Sequence, residues 1–254
     1  MKTTKLKIGF YGITGCAGCQ LSFIFNEDEL LSLIDLIDLR AFPFIKEFNL
    51  EEKFDYVFIE GLVANKNDLK TLKKLREKAD KLVALGACAH TGCVPAYRNF
   101  TLKENYKHLL YMKRTEIQDV KPTPVDTHVN VDYTIPGCPP DKNEIMNFIK
   151  DIVKGKEPKI NNNPVCVECR RNNNVCLLDV GKPCLGPITR GGCNSVCTNG
   201  KFECWGCRGL TDDADIKLLV KLLKEKGFSE KIIKQRMRSF VGLKLPNLEK
   251  IMNE

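Results

Sequence analysis

The chain has 254 residues, 43% of them hydrophobic, with 13 cysteines and a formal net charge of +8. That length suits one large domain, or a medium one with a cofactor-held appendage, and no apolar run is long enough to predict a membrane span. The charge does not predict a nucleic-acid partner, because Lys53, Lys66, Lys70, Lys73, Lys74 and Lys78 are interspersed with Glu52 and Glu77 rather than gathered with aromatics.

After Met1 the chain enters Lys5-Leu6-Lys7-Ile8-Gly9-Phe10-Tyr11. This reads as a strand, with neither a secretory signal nor a twin-arginine leader before it. A cytoplasmic setting is therefore expected, where thiols stay reduced and abundant cysteine points to metal rather than disulfides. Residues 8–12 form the first strand, and Leu21, Phe25, Leu30, Leu31 and Ile34 predict a helix over 19–35. Residues 55–61 read as a buried strand closed by Gly61, residues 65–80 as an amphipathic helix, and 81–86 as another strand. A short strand at 131–135 runs into Pro136-Gly137-Cys138-Pro139-Pro140, and a helix over 141–153 follows. This alternation predicts an α/β, flavodoxin-like doubly wound parallel sheet over residues 1–155.

Residues 155–164, rich in Gly, Pro and Asn, mark a boundary. The second domain, 164–254, should be a small irregular iron–sulfur domain with C-terminal helices. Its segment 164–209 has eight cysteines and little periodicity, so a metal is expected to supply its core. Thr211-Asp212-Asp213 reads as the N-cap of a helix carrying Ile216, Leu218, Leu219, Leu222 and Leu223, and a second helix spans 229–240.

The cysteines fall into three sets of four. Cys16 and Cys19 follow the first strand, Cys88 the strand ending at Gly86, and Cys138 the strand ending near Ile135. In a doubly wound sheet, the loops at the carboxyl ends of the strands converge where the strand order reverses. Three such loops would bring four thiolates to one point; the plainer reading makes Cys88 and Cys138 ordinary buried cysteines. Downstream lie Cys166-x2-Cys169-x6-Cys176-x7-Cys184 and Cys193-x3-Cys197-x6-Cys204-x2-Cys207. Each offers the complement of one cubane, although paired C-x2-C motifs also build structural zinc sites and ligands could cross between the two sets. Three 4Fe–4S clusters, each near −2 when oxidised, would bring the net charge to about +2. Cys93 is left over, and its plain reading is a buried spare thiol.

Gly15-Cys16-Ala17-Gly18-Cys19, Glu60-Gly61, Gly86-Ala87-Cys88-Ala89-His90-Thr91-Gly92 and Pro136-Gly137-Cys138-Pro139-Pro140 together resemble the small subunit of a nickel–iron hydrogenase. The tail, from Pro183-Cys184-Leu185-Gly186-Pro187-Ile188-Thr189-Arg190 through Cys204-Trp205-Gly206-Cys207-Arg208-Gly209, resembles its cytoplasmic branch, which holds sulfhydrogenase delta subunits and methanogen hydrogenase small subunits. The resemblance spans nearly the whole chain. It implies a proximal cluster on Cys16, Cys19, Cys88 and Cys138, a medial one on Cys193, Cys197, Cys204 and Cys207, and a distal one on Cys166, Cys169, Cys176 and Cys184. It also implies a nickel–iron large subunit as partner, a flavin/iron–sulfur or other electron-accepting subunit, and no catalysis by this chain alone.

Two departures from membrane-bound relatives are visible. Those relatives typically place a histidine on the distal cluster and use a three-iron medial one, whereas both sets here offer four cysteines. Low-potential 4Fe–4S centres suited to a nicotinamide, deazaflavin or ferredoxin acceptor are therefore expected. Cys93 resembles one of two extra cysteines of oxygen-tolerant enzymes, but the other position is Gly18, which implies an ordinary cubane. Arg190, Arg208 and Trp205 are candidate tuners of cluster potential, against a plainer packing or surface role; Glu60 is a candidate near the proton route, and Gln20 for interface lining. The competing functions are a quinone-reductase-like respiratory iron–sulfur subunit, which typically has adjacent cysteines at the first site and no eight-cysteine tail, and a zinc-stabilised interaction module.

Overall fold

The computed structural model describes residues 5–50, 52–102 and 120–253. It forms two compact units, Met1–His90 with Gln118–Ile160 and Thr91–Ile117 with Asn161–Glu254.

The first unit is a five-stranded parallel sheet of β1 (Leu6–Gly12), β2 (Ile37–Ala41), β3 (Phe54–Glu60), β4 (Ala79–Leu85) and β5 (Tyr133–Ile135), in the order β2-β1-β3-β4-β5. This is the flavodoxin-like winding, with its switch point between β1 and β3. The predicted sheet is therefore present, with β2 as an additional edge strand. Helices α1 (Gly18–Ile24), α2 (Glu27–Ile34), α3 (Lys66–Lys78) and α4 (Gly86–Thr91) precede β5, and α5 (Lys142–Val153) follows it.

Alternation along the strands separates two apolar layers. Ile8, Phe10, Phe58, Val83, Leu85 and Ile135 meet Phe23 of α1, Leu33 of α2 and Ile145, Phe148 and Ile149 of α5. Tyr11, Val57, Ile59, Leu82 and Ala84 meet Leu72 and Leu75 of α3 on the other face. Phe10 is fully buried and stacks on Phe23 and Phe58 at centroid distances of 4.5 and 4.6 Å. At the start of α3, Asn65 Oδ1 accepts the Asp68 N–H and Asp68 Oδ2 accepts the Asn65 N–H, a reciprocal capping box.

The helix predicted over 19–35 is broken at Phe25–Asn26. The Asn26 side chain donates to the Lys142 carbonyl at 2.8 Å, and this long-range bond holds the chain where α1 gives way to α2. The strand expected over 131–135 is confined to Tyr133–Ile135, because Asp132 turns its carboxylate onto the Leu82 N–H and Arg76.

The second unit contains α6 (Val165–Arg171), α7 (Val196–Asn199), α8 (Ile216–Glu225), α9 (Glu230–Val241) and α10 (Leu248–Asn253). Val165, Leu177, Leu178, Leu185 and Ile188 of the cysteine segment pack with Leu219, Leu223, Ile233, Met237, Val241, Leu248 and Met252 of the last three helices. An apolar cluster thus lies beneath the segment whose sequence predicts a core dependent on metal. The N-cap of α8 is Asp215, whose carboxylate accepts the Leu218 N–H at 2.8 Å, rather than Thr211–Asp213. Those residues are engaged elsewhere: Thr211 N–H donates to the Ile188 carbonyl and Asp212 pairs with Arg190 at 2.5 Å. Ser229 caps α9 as its spacing predicts. Among the described residues, no helix is long and apolar enough to cross a membrane.

Candidate functional site

The sheet register aligns the carboxyl ends of four strands. Gly12 pairs with Glu60, Glu60 with Leu85, and Leu85 with Ile135. Each loop that carries a first-unit cysteine leaves from this row. The Ala87 N–H donates to the Gly137 carbonyl at 2.7 Å, tying the Cys88 turn to the Cys138 turn. Gly86 adopts φ +86°, and a Cβ there would collide with Cys19 Sγ, so only glycine lets backbone pass this sulfur. Cys88 sits inside the short helix α4 rather than in a loop.

Cys19 is buried, Cys88 half-buried, and Cys16 and Cys138 exposed. Burial pushes the Cys19 thiol far up, and negative charge on Glu60, Cys88 and Cys138 adds to it, so Cys88 and Cys138 lie within electrostatic reach of Cys19. Such a thiol ionises readily only beside a compensating cation, and a metal ion deprotonates it outright. Glu60, 2% exposed, accepts the Cys19 N–H at 3.2 Å, the Gln20 N–H at 3.1 Å and the Gln20 side-chain amide at 3.0 Å. Its carboxylate thus pins the start of α1, and Gln20 is buried against it.

In the second unit Cys166 and Cys169 stand one turn apart on α6. Burial first, and then Cys184, Cys169 and Cys176, push the Cys166 thiol up to about 12, and Cys184 feels Cys169 and Cys176 as well. These four cysteines thus lie within electrostatic reach of Cys166 or Cys184. The other set is less closely tied. Cys204, almost wholly buried and raised for that reason, lies in reach of Cys207 and of Cys184, while Cys193 responds after burial to Glu168 and Arg208 and Cys197 to Glu203. The two sets touch where the Cys204 N–H donates to Cys184 Sγ at 3.3 Å. Backbone N–H groups of Gly186 and Gly206 also point at Cys184 and Cys204. Amides aimed at thiolate sulfur stabilise its charge and raise cluster potentials.

All three sets therefore offer sulfur donors in partly buried surroundings, chemistry that fits iron–sulfur clusters. Among the described residues, no three His, Cys, Asp or Glu side chains close on one point as a single metal ion requires.

Of the remaining candidates, Cys93 is buried with φ +52°. A Cβ on Gly18 would stand 3.3 Å from Cys16 Sγ, so a larger residue there would press on that sulfur. Arg190 braces the surface through Asn162 and Asp212. Trp205 is 40% exposed and carries the Arg236 guanidinium 3.3 Å over its ring. Arg208 is buried. Glu168, which sequence reasoning did not single out, lies between Cys166 and Cys169; its carboxylate accepts the Ser195 N–H at 2.9 Å and the Gly192 N–H.

The family described as NADH ubiquinone oxidoreductase, 20 Kd subunit, matches residues 16–152. Sulfhydrogenase 2 subunit delta of Pyrococcus furiosus is 36% identical over 92% of this chain and 99% of its own length. A vhu subunit of the F420-non-reducing hydrogenase of Methanocaldococcus jannaschii is 32% identical over 84% of each chain. Among solved structures, a chain of an NAD+-reducing [NiFe]-hydrogenase in the H2-reduced state superposes with a TM-score of 0.54 at 30% identity, covering 61% of this chain and 95% of that one.

Proposed function

We propose that this chain, which belongs to the family of nickel–iron hydrogenase small subunits, carries three 4Fe–4S clusters and passes electrons between a large subunit holding the nickel–iron site and an electron-accepting subunit. The observation that supports the reading is the row of strand ends Gly12, Glu60, Leu85 and Ile135, beyond which the chain carries Cys16, Cys19, Cys88 and Cys138 at the carboxyl edge of the sheet.

In this reading Cys16, Cys19, Cys88 and Cys138 hold the proximal cluster. Cys193, Cys197, Cys204 and Cys207 hold the medial one, and Cys166, Cys169, Cys176 and Cys184 the distal one. When bound, the clusters supply one-electron steps at low potential. The chain's own residues do the rest. Cys19 sits buried where water is excluded, while Cys16 and Cys138 lie exposed, as an interface with a large subunit would require. Glu60 holds the α1 end that presents Cys19, and the amides of Gly186, Cys204 and Gly206 hold the charge on sulfur. No residue of this chain is assigned a catalytic role, and hydrogen is split on the partner subunit. The complex is placed in a reducing, cytoplasmic setting, where abundant cysteine favours metal over disulfides.

The match to the 20 Kd respiratory subunit raises quinone reduction as a second reading. That match ends at residue 152, whereas the P. furiosus likeness reaches across 92% of the chain, and eight cysteines lie beyond residue 152. The hydrogenase reading accounts for those cysteines. Anaerobic purification of the native complex tests it: a brown protein with about twelve irons and as many acid-labile sulfides on this chain is expected. About four irons would favour the respiratory reading, and a colourless zinc protein would end both.

A further inference from the structure

Cys193 lies between two charges of opposite sign. Arg208, one residue beyond Cys207, is 1% exposed and heads the largest fully buried side chains among the described residues. Its Nε donates to the Gly191 carbonyl at 2.6 Å, two residues before Cys193, which holds its guanidinium beside the backbone that carries Cys193. Glu168 answers from α6. Its Oε2 lies 4.0 Å from Cys193 Sγ and accepts the Ser195 N–H at 2.9 Å, while Oε1 accepts the Gly192 N–H and the Asn161 amide. Between these anchors the backbone passes through two left-handed non-glycine residues, Asn194 at φ 51° and Ser195 at φ 50°. Such conformations persist only where the surroundings over-determine them, and they gather at functional sites. A buried cation is likewise costly to keep unless other groups compensate it.

We propose that Arg208 is a positioning residue that raises the reduction potential of the cluster held by Cys193, Cys197, Cys204 and Cys207, and that Glu168, against Cys193, opposes it. The inference rests on the three-cluster reading above. Reduction adds one electron and no proton, so the cluster becomes more negative by one unit. A fixed positive charge in a low-dielectric setting favours that reduced form, and a fixed negative charge disfavours it. The electron comes from hydrogen oxidised on the partner subunit, or from dithionite in the test.

The experiment is a potentiometric titration of the whole complex, followed by electron paramagnetic resonance. Three cluster signals in the unaltered complex test the parent reading, independently of any shift; Cys197→Ser identifies which signal belongs to the Cys193 set. Arg208→Gln should weaken reduction of that one cluster roughly tenfold, a fall of about 59 mV for one electron. Arg208→Lys, which keeps the charge, should restore most of it. Glu168→Gln should move the same signal the opposite way. Unmoved potentials in Arg208→Gln would overturn the proposal, as would an equal shift in all three or a loss in Arg208→Lys as large as in Arg208→Gln. Should Arg208→Gln not assemble, Glu168→Gln decides: a rise confined to that signal supports the proposal, and an unmoved signal overturns it.

Discussion

In the first unit the cysteines hang from the ends of a sheet built from Ile8, Phe10, Phe58, Val83 and Ile135, side chains that owe nothing to the cofactor. In the second unit two of the proposed ligands enter the core: Cys184 and Cys204 are packed among Leu185, Ile188, Leu219 and Val241. In the proposed assignment the first arrangement is a scaffold that presents ligands. The second is a fold in which proposed ligand and scaffold are the same residues, so cofactor and stability should be coupled far more tightly there.

The widest gap between the units should open on removing iron. Chelation under reducing conditions should abolish amide-exchange protection over residues 164–209 while leaving it in β1, β3 and β4. Equal loss in both units would erase the distinction. Next comes the scaffold itself. Phe58 is fully buried, stacked on Phe10 and edge-on to Phe148, so Phe58→Ala should lower denaturant stability of the first unit by about 3–5 kcal/mol. The clusters of the second unit should keep their spectra.

A smaller effect is expected at Asp132. Burial alone would raise its carboxyl, but the Leu82 N–H, Arg76 and Lys81 outweigh this and hold it below its ordinary value of 3.8. A lowered carboxyl contributes stability that is present above about pH 4 and is lost as the pH falls through the lowered value. Asp132→Asn should cost about 1–3 kcal/mol near neutrality, and its stability should fall less steeply than that of the native protein on acidification below pH 4, as urea midpoints would show. The smallest change is at the α3 cap, where Asn65→Ala should cost about 1 kcal/mol and shift the thermal midpoint of the first unit alone.

Periodicity made β1, β3, β4 and β5 legible because each ends in a short apolar run leading to a turn, and the glycines beyond those strands marked where the first set of cysteines lies in the chain. The break at Asn26 was not legible, since it depends on the Lys142 carbonyl more than a hundred residues away. Nor was the displacement of the α8 cap from Thr211–Asp213 to Asp215, because periodicity carries no sign that Arg190 draws Asp212 aside. Strand β2 escaped notice because its five residues alternate apolar and charged side chains directly after a helix, without a turn glycine. The apolar partners of the cysteine segment lie in helices that follow it, so that segment read by itself looked unable to form a core.

The amide of Cys204 resting on the sulfur of Cys184 has a bearing on how the protein matures. In the proposed assignment this donor is shared across two ligand groups, so that filling one of them would stiffen the backbone from which the other is assembled. Under that assignment, iron loading of the C-terminal unit is expected to be cooperative, with half-loaded protein scarce when iron is limiting.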